Sequence, residues 1–316
     1  MQQFLSARDV DSIPELIELA QQIKANPRRY AYEGERKTLI NLFFNPSLRT
    51  RLSTEKAGRT LGFHVTTMDA GGGWKIEFED GATMNLDTAE HIREAAGVLS
   101  QYADILAVRS FPSLTDRAAD YEDRIIKAFV QHASVPVVSL ESATRHPLQS
   151  LADCITIKEQ SPRPRPKVVL TWAPHPRKLP QAVANSFAEW MWHWGEVDLV
   201  IANPKGMDLA PEFTRDLTIM NDQAEALRNA DFVYAKNWSS YFDYGATVDA
   251  PDWQITAEKM ALTNNGKFMH CLPVRRNVVV ADAVLDGQHS LVLEQANNRT
   301  WAAAAVLKTI LGDTSG

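Results

Sequence analysis

The sequence predicts an α/β fold of two domains, each a parallel β-sheet flanked by helices. Short apolar runs rich in β-branched residues alternate with amphipathic stretches along the whole chain, the pattern of repeated strand–helix units. Several of these runs are apolar throughout and do not alternate, as in strands buried on both faces of a parallel sheet. At 316 residues the chain also exceeds what one hydrophobic core usually serves.

Strands are expected at 38–44, 64–69, 104–110, 135–140, 167–172, 197–202, 231–235, 267–271 and 291–293. Helical periodicity covers 48–61, 89–102, 117–131, 147–159, 181–194, 224–229 and 298–311. Between a helix and a strand, Ser161-Pro162-Arg163-Pro164-Arg165-Pro166 has prolines at alternate positions, which hold the chain extended. The expected division is 1–143 for a first domain and 144–295 for a second, hinged near 141–148. A C-terminal helix at about 296–316 is expected to pack back on the first domain. No repeat or low-complexity tract interrupts this organisation.

A net charge of −6 offers no basic face for nucleic acid. Cys154 and Cys271 make no disulfide framework, and no Cys-x-x-Cys pair suggests structural zinc. Residues 1–19 carry Arg8, Asp9, Asp11 and Glu15, which excludes the apolar core of a secretory signal. No uncharged apolar run approaches bilayer length. The expectation is a cytoplasmic protein with no membrane partner.

Three segments carry chemistry. In the first, a strand ends at Phe44, Asn45-Pro46 turns the chain, and Ser47 caps a helix with Arg49 and Arg51 in its first turn. The helix dipole disfavours cations there unless an anion sits on the same N-terminus. Backbone N–H groups, the Ser47 and Thr50 hydroxyls and guanidinium groups would converge on it. An ordinary serine cap with two solvated arginines is the alternative.

The second segment is His146-Pro147-Leu148-Gln149, preceded by Glu141 at a strand end. Proline at the first helical position leaves His146 at the cap, on the sheet edge where open α/β folds bind ligands. The third is His270-Cys271-Leu272-Pro273-Val274-Arg275-Arg276, after another strand, whose arginines suit an acidic substrate. A structural histidine and a buried turn cysteine are the plain alternatives for these two. Arg109, His175 and Lys236 add further cations at strand ends, and Trp74 follows a hinge of Gly71, Gly72 and Gly73. A large ring so placed needs burial in its own domain or against a neighbouring subunit.

Glycine fingerprints for dinucleotides and a Walker A sequence are missing, since Gly266-Lys267 lacks both the earlier glycine and the Ser or Thr. No His, Asp and Glu cluster has metal spacing. A dinucleotide-dependent oxidoreductase therefore loses ground.

Taken together, Ser47-Leu48-Arg49-Thr50, His146-Pro147-Leu148-Gln149 and His270-Cys271-Leu272-Pro273 resemble, in order, the signatures of the aspartate/ornithine carbamoyltransferase family. The resemblance spans essentially the whole chain. The D-x-x-x-S-M-G loop that reads free ornithine is absent; Trp172-Ala173-Pro174-His175-Pro176 and Val183-Ala184-Asn185-Ser186 are similar to the branch acting on N-acylated ornithine.

The resemblance implies an active site in the cleft between the domains, no metal and no organic cofactor, with carbamoyl phosphate and an N-acylornithine as substrates. Ser47, Leu48, Arg49 and Thr50 would hold phosphate, Arg109 would bridge phosphate and carbonyl, and His146, Gln149, Cys271, Leu272 and Arg299 would complete the carbamoyl phosphate site. Trp74 would come from the adjacent protomer of a homotrimer. Glu141, His175, Lys236, Cys271, Leu272 and Arg275 would hold the acylornithine, with Ala89 facing its acyl group. Arg49, Thr50, Arg109, His146 and Cys271 would act on the reacting atoms. Ala89 matches neither the glutamate of acetyl-specific relatives nor the proline of succinyl-specific ones. An uncharged residue there favours succinyl, and acetyl stays open as the alternative. A non-catalytic anion-binding regulatory paralogue is the reading outside enzymes.

Overall fold

The computed structural model describes residues 1–70 and 73–313. The chain divides into two compact units: Met1–Pro112, Ala118–Leu148 and the chain from Arg299 on form the first, and Ser113–Arg117 with Gln149–Asn298 form the second. In chain order the elements are β1 (Gln3–Phe4), α1 (Ile13–Ala25), β2 (Thr38–Phe43), α2 (Leu48–Thr60), β3 (His64–Asp69), β4 (Ile76–Glu77), β5 (Glu90–His91), α3 (Ile92–Tyr102), β6 (Ile105–Arg109), α4 (Arg117–Glu122), α5 (Arg124–His132) and β7 (Val137–Glu141). They continue with α6 (Pro147–Gln160), β8 (Lys167–Trp172), α7 (Ala182–Trp194), β9 (Asp198–Ala202), α8 (Pro211–Thr214), β10 (Thr218–Met220), α9 (Gln223–Leu227), β11 (Phe232–Lys236), α10 (Ala257–Met260), β12 (Lys267–Met269), α11 (Asp282–Leu285) and α12 (Val292–Asp313). The division falls within α6 and within α12.

Among the described residues each unit is built on one five-stranded parallel sheet. The order is β1-β7-β6-β2-β3 in the first unit and β10-β9-β8-β11-β12 in the second. Strands β6, β7 and β11 are buried at every position, which is why they read as mainly apolar runs that do not alternate. Helices α2, α3 and α5 pack on the first sheet, and α7 and α9 on the second. Leu42, Leu106, Val108 and Phe129 lie in the first core. Truncating a ring as buried as Phe129 to alanine costs about 3–5 kcal/mol.

In the second unit, Asp231 at the foot of β11 is 2% exposed and anchors the proline-rich run. It accepts from Arg163 Nη2 at 2.5 Å, from the Lys167 backbone at 2.7 Å and from Asn264 Nδ2 at 3.1 Å. The indoles of Trp172 and Trp238 are buried and satisfied, donating to the Trp238 and Met207 carbonyls at 2.9 and 2.6 Å.

Four expectations change. The apolar run 291–293 is not a strand: Phe268 bridges Ser290 in isolation, and α12 begins at Val292, well before 298. Three apolar residues carry no period by which strand and helix entry differ. The helix expected from 89 starts at Ile92, because Glu90 and His91 pair with β4. The helix expected over 117–131 breaks at Asp123, whose φ of 55° is left-handed. Helix α1 was not expected, although Ser12, Pro14 and buried Ile13, Leu16, Ile17, Ala20 and Ile23 mark it. Among the described residues no helix is long and apolar enough to cross a membrane, and no group of His, Cys, Asp or Glu could hold a metal ion.

Candidate active site

In the first unit three adjacent strands, β7, β6 and β2, deliver side chains to one edge of the sheet. After β2 the chain turns through Asn45 and Pro46 into α2, whose cap Ser47 accepts from the Thr50 backbone at 3.4 Å and donates its hydroxyl to Thr50 Oγ1 at 3.0 Å. No acidic residue lies in the first turn of α2, so its exposed N–H groups face no fixed anion there. Arg299, on α12, donates to Thr50 Oγ1 at 2.6 Å. The segment 43–48, with Arg51 and Asp69, walls a concavity of about 630 Å³. Arg51, expected beside Arg49, is instead paired with Asp69, and its guanidinium lies over the Phe43 ring at 5.1 Å.

Arg109 ends β6 and is 4% exposed. Its Nη1 is paired with Glu141, its Nε donates to the Asn45 carbonyl at 3.2 Å, and it lies over the Phe111 ring at 4.5 Å. His146 Nε2 reaches the same Glu141 oxygen at 3.3 Å. Glu141, grouped by resemblance with second-domain residues, thus stands on β7 of the first unit among Arg109 and His146. The segment between Glu141 and His146 is fixed by buried Asp123, which accepts from the Ser142 hydroxyl at 2.7 Å, the Ala143 backbone at 2.9 Å and the Thr144 hydroxyl at 2.5 Å.

Trp74 packs half-buried against the first unit's own core, and its indole donates to Glu90 at 2.8 Å. Gly71 and Gly72, the start of the expected hinge, lie outside the described residues. Ala89 is exposed, and its backbone donates to the Lys75 carbonyl at 2.8 Å. The Lys75 ammonium beside Asp87 holds that carboxyl below its usual range.

In the second unit the neighbouring strands β8, β11 and β12 bring His175, Lys236 and the 270–275 segment to one edge. The Arg177 backbone donates to His175 Nδ1 at 3.1 Å. Burial lowers the His175 pKa, the Nδ1 contact with the Arg177 carbonyl at 3.0 Å opposes this, and the Lys236 and Arg275 charges lower it further. Lys236 is 8% exposed and donates to the Asn237 carbonyl at 2.9 Å. Leu272 holds a left-handed φ of 55° with its N–H on His270 Nδ1 at 2.9 Å. Such backbone strain in a branched residue concentrates at functional sites. Arg275 is exposed, whereas Arg276 is committed to Asp282 and Asp286. Gln149 is fully buried and donates to Asp153 at 2.8 Å. Cys154 is also fully buried, and burial, with the Asp153 charge, pushes its thiol far up; it is inert.

The residues that sequence reasoning passed over are Asn45, Asp123, Asp153 and Gln295. Asp153 was within reach, because it follows Gln149 by one helical turn on the same face. Asp123 and Gln295 meet partners distant in the sequence, and no local pattern marks them.

The chain matches the family model described as aspartate/ornithine carbamoyltransferase, carbamoyl-P binding domain, over residues 2–159. It matches the one described as aspartate/ornithine carbamoyltransferase, Asp/Orn binding domain, over 181–310. It is 47% identical over 315 residues to an N-succinylornithine carbamoyltransferase of Bacteroides thetaiotaomicron, spanning 98% of this chain and 99% of that protein. Identity to an N-acetylornithine carbamoyltransferase of Xanthomonas campestris is 37% over 306 residues, 88% of each chain. A crystal structure of a variant N-acetyl-L-ornithine transcarbamylase, complexed with carbamyl phosphate and N-succinyl-L-norvaline, aligns with a TM-score of 0.92. It is 34% identical, over 98% of this chain and 100% of that one.

Proposed function

This chain belongs to the aspartate/ornithine carbamoyltransferase family, and from that membership we propose that it transfers the carbamoyl group of carbamoyl phosphate to the δ-amine of N-succinyl-L-ornithine. The products are N-succinyl-L-citrulline and phosphate, which places the reaction in arginine biosynthesis. The observation that carries the choice of acceptor is the 47% identity over 98% of the chain to an N-succinylornithine carbamoyltransferase. The acetylornithine relative stands lower, at 37%. N-acetyl-L-ornithine transcarbamylase variants with one glutamate replaced by alanine, valine, serine or proline are complexed with N-succinyl-L-norvaline. Ala89 supplies an uncharged position of the kind these variants create.

The α2 N-terminus with Ser47, Leu48, Arg49 and Thr50 receives the phosphate, and Arg299 joins through Thr50. Arg109 already spends Nη1 and Nε on Glu141 and Asn45; we assign Nη2 to the donor. His146, Gln149, Cys271 and Leu272 take the carbamoyl group. Glu141, His175, Lys236 and Arg275 hold the acylornithine, with Ala89 beside its acyl end.

The neutral δ-amine attacks the carbamoyl carbon, a C–N bond forms, the C–O bond to phosphorus breaks, and the amine loses one proton as phosphate leaves. Donors fixed before the reaction at the oxyanion and the leaving phosphate lower the barrier by electrostatics. Holding the two substrates in one fixed orientation removes a further part of the barrier. Homotrimeric assembly with Trp74 shared between protomers, and a cytoplasmic location, belong to the same proposal. The first rests on Trp74 following Gly73 and on the family resemblance, the second on two cysteines in no disulfide.

One assay tests the function: carbamoyl phosphate offered with N-succinyl-, N-acetyl- and free ornithine side by side. The highest kcat/KM is expected for N-succinylornithine. A preference for N-acetylornithine would move the enzyme to the other acyl branch, and no turnover with any acceptor would leave only the anion-binding paralogue.

A further inference from the structure

Two charged side chains, Arg51 and Asp69, stand in the wall of the concavity of about 630 Å³ at the α2 N-terminus. Arg51 lies in the first turn of α2, and Asp69 ends β3, an edge strand of the first sheet. Arg51 Nη2 donates to Asp69 Oδ1, and the Phe43 ring lies 5.1 Å from the guanidinium. The two side chains are 33% and 60% exposed, so both charges are open to a ligand entering from solvent. All these residues belong to the first unit.

A helix N-terminus and an arginine attract any phosphate group, whatever is bonded to it. An anion with a second phosphate group would gain further from a second guanidinium, and Arg51 follows Arg49 on the same helix end. Asp69 takes that guanidinium as its own partner, so the pair is neutral as a whole. The concavity is wide enough that size alone does not exclude a longer anion. An exposed ion pair adds little to stability, so the effect of Asp69 falls on what the concavity binds.

We propose that Asp69 is a specificity-determining residue of the phosphate site. By neutralising Arg51 it lets the site take a ligand with one phosphate group, carbamoyl phosphate, and turns away polyphosphate anions such as pyrophosphate that share the head group. This rests on the function proposed above, which puts the phosphate on the α2 N-terminus. Ligands with a common head group are told apart only by an element that works against the competitor. A fixed negative charge in the wall is such an element, because it repels each anion in proportion to the charge that anion carries. Pyrophosphate carries roughly twice the charge of phosphate, so Asp69 acts on it about twice as strongly in free energy.

The test is titration calorimetry of the full-length protein with inorganic phosphate and with pyrophosphate, in metal-free buffer. Asp69→Asn keeps the volume and removes the charge. It is expected to lower the Kd of phosphate by about threefold and that of pyrophosphate by about tenfold or more. Equal gains for the two anions, or none, overturn the proposal. Asp69→Asn combined with Arg51→Gln makes the wall neutral again, and both constants should return to within about twofold of the parent's. A double variant that keeps the gain of Asp69→Asn overturns the part given to Arg51. If Asp69→Asn does not fold, Arg51→Gln decides from the other side: it leaves the carboxylate unpaired, and pyrophosphate must then weaken more than phosphate. Pyrophosphate binding that survives in Arg49→Ala lies elsewhere and overturns the assignment to this site. None of these readings needs turnover. A parent that binds phosphate but turns over no carbamoyl phosphate sinks the function proposed above, while Asp69 still stands or falls by its own ratio. A parent that binds neither anion sinks both.

Discussion

Arg109 and Glu141 face each other because the parallel register of β6 and β7 slips by one residue just before them. Val108 pairs with Ser139, but Arg109 pairs with Glu141, so Leu140 is passed over. A one-residue slip exchanges the side chain presented on a face. Without it Arg109 would lie opposite leucine, and a guanidinium 4% exposed would be buried without its carboxylate. Removing one partner of such a pair costs about 3–5 kcal/mol. Glu141→Ala is therefore expected to lose about that much in urea unfolding, and added phosphate should recover part of it, because an anion that binds Arg109 stabilises the folded state by mass action. A stability within about 1 kcal/mol of the parent would mean the pair contributes nothing net.

Arg49 stands in the first turn of a helix that has no acid there. The dipole works against it unless an anion is bound. Arg49→Ala is expected to lower turnover by at least about a hundredfold while leaving thermal unfolding within about 0.5 kcal/mol of the parent. Activity within about tenfold of the parent would sink the phosphate assignment.

Sharing of sites in a trimer is checked by mixing protomers. Trp74→Ala and Arg49→Ala proteins, each nearly inactive alone, should regain activity when assembled together, since a mixed interface rebuilds one complete site. Verified mixed trimers without recovery would show that Trp74 serves only its own chain, where it already packs on the core and bonds Glu90.

His175 gives a pH dependence whose sign is fixed. Burial and the Lys236 and Arg275 charges lower its folded pKa below 6.5. As pH falls through 6.5 the unfolded chain takes up the proton first, so stability present above 6.5 is lost as pH falls toward and through the lowered folded value. His175→Gln is therefore expected to match the parent's Tm above pH 7 and to lose less than the parent between pH 6.5 and 5. Parallel Tm curves for the two proteins would show that His175 titrates as in the unfolded chain.

Much of this architecture is legible in the sequence, for physical reasons that particular residues show. β6 and β7 are buried at every position, so their apolar runs carry no ambiguity, and Ser47 announces α2 because only a short polar side chain caps that turn. Sites at strand ends followed from the same reading, because a parallel sheet gathers its C-terminal ends on one edge. What stayed hidden needs contacts distant in sequence. The slip that pairs Arg109 with Glu141 leaves no mark in either strand, and Gln295 meets Asp153 from 142 residues away. Run 291–293 misled because three apolar residues suit either a strand or the start of a helix.

The proposed acyl selectivity is tested at Ala89, which is exposed just before β5 in a loop already rich in acids. Asp87 there is balanced by Lys75, and Glu90 takes the Trp74 indole. A succinyl group ends in a carboxylate and an acetyl group in a methyl. A glutamate at 89 would set a further acid against that carboxylate, and two like charges about 4 Å apart repel by roughly 1–4 kcal/mol as the effective dielectric goes from that of bulk water to that of a protein surface. Alanine adds no charge and leaves room. Ala89→Glu is therefore expected to lower kcat/KM for N-succinylornithine by roughly ten- to a hundredfold and to spare N-acetylornithine, so that preference shifts toward acetyl. Ala89→Gln separates the causes, since it has the glutamate's size without its charge: it should cost N-succinylornithine much less. Raising the salt concentration should soften the loss in Ala89→Glu and leave Ala89→Gln alone, because screening acts on the charge only. Equal losses in the two variants would mean that volume, and not charge, excludes the longer acyl group.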